Sequence, residues 1–151
     1  MQAGPPNLLP FSMLLAILFF VAFWAFISFL TSFIGGWNFL SKRFRAQAEP
    51  YGVTRSTGPF FSNVYMRYWQ HYGGVIRLTA ADDALYLSVV FLIRIGHPPL
   101  CIPWKEIQFG SLKRWWRSYV VLTLGKPEQI PLRIPERMAR KLGLLERIPR
   151  A

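Results

Sequence analysis

Catalysis and metal binding need particular side chains at particular spacings, and this chain of 151 residues offers few of them. His71, His97 and Cys101 are too few for an ordinary zinc site, and no HExxH, CxxC or EF-hand spacing accompanies them. Asp82-Asp83 are adjacent carboxylates between Ala80-Ala81 and an apolar run, the composition of a turn rather than of a spaced acid–base pair. Ser88 and Ser111 have no nearby base, and neither GxSxG nor a glycine-rich phosphate loop is present. The expectation is therefore a protein that is not an enzyme and takes no metal and no cofactor. His97, ahead of Pro98-Pro99, has the pKa class of a pH sensor, but a loop histidine more commonly satisfies local hydrogen bonds. A single cysteine excludes an intramolecular disulfide and fits a reducing compartment.

Cations are the one abundant chemical resource. Against 7 acidic residues stand 18 Lys and Arg, a formal charge of +11. They form two clusters, Lys42, Arg43 and Arg45, and the compact run Lys113-Arg114-Trp115-Trp116-Arg117. Indoles among cations suit a membrane interface, where Trp sits at headgroup depth and each basic residue attracts anionic lipid by roughly 1 kcal/mol. The same residues would suit phosphate contact and base stacking on nucleic acid. A plain topological and solubilising role is the third reading. A membrane tether decides against nucleic acid, because a domain held beside a bilayer meets headgroups constantly.

That tether is the most legible element. Residues 1 to 41 contain no Asp, Glu, Lys, Arg or His. Leu14 to Ile34 is a 21-residue apolar stretch, roughly 31 Å as a helix, which matches a bilayer core of about 30 Å. Fourteen of those residues are Leu, Ile, Phe or Val, so insertion is favourable by roughly 4 to 8 kcal/mol. The uncharged start and long core do not fit a cleaved signal peptide. Lys42, Arg43 and Arg45 follow directly, which by the positive-inside rule places the N-terminus outside and the remainder in the cytoplasm, an inner-membrane single-pass topology. Trp37 and Phe39 fall where an aromatic belt would lie, and Gly35-Gly36 marks a bend. Ala25, Ser28 and Ser32 make a small-residue stripe suited to helix packing; a plain lipid-facing helix is the alternative.

The expected organisation is an extracytoplasmic tail over 1–12, a transmembrane helix over 13–36, a juxtamembrane linker over 37–58 and one small domain over 59–148. Regular structure is expected to resume near Phe60, after a short amphipathic start and a linker containing Pro50, Gly52 and Gly58. Seven strand-like runs follow: FFSNVYMRYW, VIRLT, ALYLSVVFLIRI, LCIPW, IQFGSLKRWW, YVVLTL and QIPLRI, broken by Gly, Pro, Asp and Ser turns. Ile130, Leu132 and Ile134 alternate with Pro131, Arg133 and Pro135 as a half-buried strand would. Leu85 to Ile93 is apolar on both faces and needs cover. Trp104 is expected to anchor packing. Pro135 can open a helix whose face of Met138, Leu142 and Leu145 runs to about Leu145. The fold class is thus a membrane helix plus a mainly β, α+β domain of about seven antiparallel strands, with the C-terminal helix plugging the open end of a bent sheet.

Three stretches carry a resemblance across nearly the whole chain. They are Trp37-Asn38-Phe39-Leu40 with Arg43-Phe44-Arg45, Leu85-Tyr86-Leu87-Ser88, and Arg94 through Ile107 (RIGHPPLCIPWKEI). They resemble bacterial single-pass membrane proteins with a cytoplasmic pleckstrin-homology-like (PH-like), or GRAM-like, domain. The resemblance implies architecture and transfers no catalytic motif; a clear basic signature in the first two strands, as in phosphoinositide-binding members, is missing. The function expected is a membrane-anchored adaptor or accessory module whose basic domain contacts anionic inner-leaflet lipid or a membrane-protein partner. The alternative is a dedicated small subunit of a larger membrane complex.

Overall fold

The computed structural model describes residues 9–48, 50, 52, 54–58, 63–67, 69–114 and 117–148. Helix α1 runs from Leu9 to Ile34. Within it Pro10–Ile34 is long and apolar enough to cross a membrane, and only 6% of its most apolar window is buried, so it is not a core helix. The helix stops at Gly35-Gly36. Gly36 has φ +83°, a left-handed conformation that glycine adopts without a Cβ penalty. A helix end leaves carbonyls without intrahelical donors, and Arg67 supplies one: its Nη1 donates to the Ile34 carbonyl at 3.2 Å.

Helix α2 follows at once, Trp37–Phe44. Trp37, Leu40 and Phe44 recur at helical spacing and are buried, while Lys42 and Arg43 face outward. The stretch read as a linker therefore contains a core helix, and Trp37 lies in the protein interior rather than in an aromatic belt. The next element also comes earlier than Phe60. Strand β1 is Arg55–Ser56, followed by β2 Asn63–Met66, β3 Gln70–Gly73, β4 Ile76–Ala80, β5 Ala84–Val89, β6 Leu100–Pro103, β7 Ile107–Arg114, β8 Arg117–Leu124 and β9 Ile130–Pro135.

The strands make two antiparallel sheets, ordered β1-β4-β5-β6 and β3-β2-β9-β8-β7. Among the described residues nine strands stand where seven runs were expected, for local reasons. The FFSNVYMRYW run supplies only β2; Arg67, with φ +45°, turns the chain, and β3 forms from Gln70–Gly73 beyond that run. The two-residue β1 lacks any apolar pattern and exists only because β4 offers it an edge. The long apolar run from Ala84 leaves the sheet after Val89 and continues as a 3-10 turn over Phe91–Ile93. Asp82 and Asp83 lie in the exposed β4–β5 turn, as their composition indicated. Phe60, Phe61, Trp115 and Trp116 lie outside the described residues.

Alternate residues of the two sheets meet face to face. Ile76, Leu78, Leu85, Leu87 and Ile102 on one side oppose Val64, Met66, Leu122, Leu132 and Ile134 on the other, all buried. Along β9, Ile130, Leu132 and Ile134 point inward and Pro131, Arg133 and Pro135 are half-buried, the alternation expected of them. Helix α3, Glu136–Lys141, closes the far end with Met138 and Ala139, but ends sooner than Leu145 because Gly143 takes φ +70°. Leu142 and Leu144 continue the apolar seal. Trp104 is half-buried, stacked on Phe109, with its indole donating to the Ala81 carbonyl at 2.9 Å.

Because Trp37 is wholly buried, Trp37→Ala should destabilise the domain by about 3–5 kcal/mol, whereas Lys42→Ala on the exposed face of the same helix should stay within about 0.5 kcal/mol. Denaturant unfolding of the full chain in detergent checks both.

Candidate functional site

The joint between α1 and the domain is built from three rings. The Trp37 and Tyr72 centroids lie 6.0 Å apart, Trp37 and His97 5.3 Å, and Tyr72 and His97 5.9 Å. His97 is 1% exposed. Its Nδ1 donates to the Ile95 carbonyl at 3.3 Å, which leaves Nε2 to accept from the Tyr72 hydroxyl at 3.3 Å. The Trp37 indole donates to the Pro98 carbonyl at 2.8 Å. Gly35 makes the arrangement sterically feasible, since a Cβ there would lie 2.5 Å from the Tyr72 oxygen. Burial pushes the His97 pKa below its usual range and the Tyr72 hydroxyl above its own. Hydrogen-bonded through both ring nitrogens and packed against two aromatic rings, His97 is an integral part of the joint. Among the described residues no three His, Cys, Asp or Glu side chains are grouped to hold a metal.

The β5–β6 connection extends from this joint back along α1. The Trp24 indole donates to the Leu92 carbonyl at 3.0 Å, and the Ser32 hydroxyl donates to the Gly96 carbonyl. At Gly96 a Cβ would sit 3.2 Å from the Phe29 Cα, so glycine allows close backbone approach. Along the small-residue stripe, Ser28 and Ser32 are buried and Ala25 is half-buried. Ser32 meets this chain's own loop. On that loop Phe91, Leu92 and Ile95 are 85%, 70% and 50% exposed, an unusual state for three large apolar side chains on one short loop.

The basic residues divide by position. Lys42 is exposed, with Nζ 5.7 Å from the Phe39 ring centroid. Arg43 is already engaged: it donates to the Lys126 carbonyl, pairs with Glu106 at 3.5 Å and lies over Phe44. Arg45 bridges through its backbone to Leu100 and its side chain is exposed. Lys113 and Arg114 end β7, Trp115 and Trp116 lie outside the described residues, and exposed Arg117 opens β8. Gly125, just past β8, approaches Leu40 and Phe44 of α2. Seven residue steps, roughly 23 Å, separate Leu124 from Arg117, so the two basic clusters occupy opposite ends of β8 and are not brought together.

Two clefts gather cations that the linear pattern left scattered. One, of about 430 Å³, is lined by Arg77, Arg94, Thr79, Tyr86 and Ser88 and adjoins the loop beside α1. Its signal was in the register: the Asp82-Asp83 turn pairs Arg77 with Ser88 and Thr79 with Tyr86. The other, of about 670 Å³, is lined by Arg117, Arg137, Arg140, Tyr65, Tyr119 and His71 at the α3 end. Among the described residues Arg77, Arg94, Arg117 and Arg137 make no ion pair, while Arg140 pairs with Glu136 at 3.0 Å.

Fold and site together define a class: a helix of membrane-crossing length hydrogen-bonded to a small two-sheet domain with basic clefts. Comparison with protein-family models, with curated proteins and with solved structures gave no match.

The joint carries a pH signature. Unfolding returns His97 to its ordinary value near 6.5, so the unfolded chain binds a proton more readily than the folded one. Its contribution is fully present above that value and is lost as the pH falls through it, by at most about 1.4 kcal/mol per pH unit. Melting temperatures of the full chain between pH 8 and pH 5 should therefore decline on the acid side, and His97→Gln should flatten that decline.

Proposed function

We propose that this protein is a non-enzymatic, single-pass membrane module that holds a PH-like domain against the cytoplasmic leaflet, where it contacts anionic lipid headgroups as an adaptor or accessory protein. The observation that carries this reading is the Arg77–Arg94 cleft, which adjoins the loop hydrogen-bonded to α1. Two guanidiniums with hydroxyls between them suit phosphate, and unpaired cations at a bilayer surface gain from its negative potential. The PH-like assignment is supported by two successive three-stranded meanders, β4–β6 and β7–β9, followed by a closing helix. Cytoplasmic orientation is supported by Lys42, Arg43 and Arg45 following an uncharged N-terminal 41 residues.

The subunit reading draws on a different observation. The cleft of Arg117, Arg137, Tyr65 and Tyr119 lies toward the opposite end of β8 from the joint and fits an acidic segment of a membrane-protein partner. A stable large assembly in mild detergent is the result that would favour it over the lipid reading.

Residues 37–151, which retain α2, should sediment with anionic vesicles more than with neutral ones, and raised salt should remove that excess because the screening length is about 8 Å at physiological ionic strength. Arg77→Ser with Arg94→Ser should reduce the excess, and Lys113→Ser, Arg114→Ser and Arg117→Ser together measure the other hairpin's share. Equal sedimentation with both vesicles overturns the proposal. Orientation is read separately: a C-terminal reporter that works only in the cytoplasm should be active.

A further inference from the structure

We infer that residues Phe91 to Ile95 form a second membrane element, a wedge that dips into the hydrocarbon of the same leaflet beside α1. This rests on the proposed reading that α1 spans the bilayer, and not on the preference for anionic lipid. Position along the helix sets the depth. Trp24, which holds Leu92, lies ten residues before Ile34, about 15 Å along the axis. A hydrocarbon core of about 30 Å takes roughly 20 residues of the 25-residue span. Even if the whole surplus projects on the domain side, Trp24 remains about 7 Å inside the hydrocarbon, and Leu92 with it.

The loop has the composition that this depth demands, and six of its carbonyls have donors within the protein. Arg94 is the only Lys, Arg, Asp or Glu between Asp83 and Lys105. It is exposed and lines the Arg77 cleft, so its guanidinium can stand at headgroup level while its stem follows apolar surface. Irregular backbone is tolerated at membrane depth only where its polar groups are satisfied by protein. The Val90, Phe91 and Arg94 carbonyls accept from the amides of Ile93, Arg94 and His97. Those of Leu92 and Gly96 accept from Trp24 and Ser32 on α1, and that of Ile95 from His97. Phe91, Leu92 and Ile95, exposed on the one loop, then meet acyl chains instead of water.

The full chain in nanodiscs tests the wedge. In a Cys101→Ser background, Phe91→Cys, Leu92→Cys and Ile95→Cys carry nitroxide labels, with Phe20→Cys on α1 as the lipid reference and exposed Lys141→Cys as the aqueous one. Collisions with oxygen, which concentrates in lipid, are compared with collisions with a water-soluble nickel chelate. The wedge requires high oxygen and little nickel at all three positions, as at Phe20→Cys, in neutral as well as anionic discs. Nickel contact matching Lys141→Cys overturns it, and low contact with both reagents overturns it in favour of a protein covering the loop. Nickel contact at Phe20→Cys would instead remove α1 from the membrane and the wedge with it. Loss of the anionic preference alone leaves the wedge pattern unchanged.

Discussion

A backbone carbonyl withdrawn from water needs a donor, and the union of helix and domain in this protein depends on that requirement. Four carbonyls at the joint accept from side chains across it. Arg67 in the domain takes Ile34 at the end of α1, Trp24 and Ser32 on α1 take Leu92 and Gly96 in the loop, and Trp37 at the start of α2 takes Pro98. The donors come from both sides, so neither unit can swing away without exposing unpartnered groups on the other. The bend at Gly36 is thereby held by hydrogen bonds on both of its sides.

Packing reinforces the same joint. Trp37 and Leu40 enter the core immediately after the bend, and their neighbours belong to both sheets and to the β5–β6 loop. Glycines at 35 and 96 let a tyrosine hydroxyl and a helix backbone come closer than any side chain would permit. The result is a domain whose first helix, α2, has one face in the interior and a basic face at the surface. Its basic groups are divided between two places: the Arg77–Arg94 cleft lies by the joint, and the Arg117 cleft lies toward the far end of β8.

Some of this was legible from residues alone, and some resisted for physical reasons. The apolar helix stood out because twenty-one residues without a charge have few other solutions. Strand β9 and the Asp82-Asp83 turn followed from period-two alternation and turn composition. Helix α2 was obscured because its basic face is also what a juxtamembrane linker carries, and eight residues give only two turns of periodicity. The run from Leu85 to Ile93 is apolar on both faces and was expected to need cover, yet Phe91 and Leu92 stand exposed. It did not reveal that the chain leaves the sheet at Val89, since apolar content is the same in a buried strand and in a loop lying against a helix.

The sequence by itself determined that one long apolar helix precedes a small, mainly β domain, that cations outnumber acids outside the helix, and that the groups for ordinary zinc or nucleophilic chemistry are scarce. These properties reside in composition and short-range period, which survive without knowledge of the fold. Tertiary structure alone decided that His97 meets Tyr72 and Trp37, that Ser32 meets Gly96, and that Arg77 and Arg94 line one cleft. Each of these meetings, except Arg77 with Arg94, joins residues more than twenty positions apart through sheet register and the bend at Gly36, and no local pattern encodes a distance that two turns and a crossing helix create together.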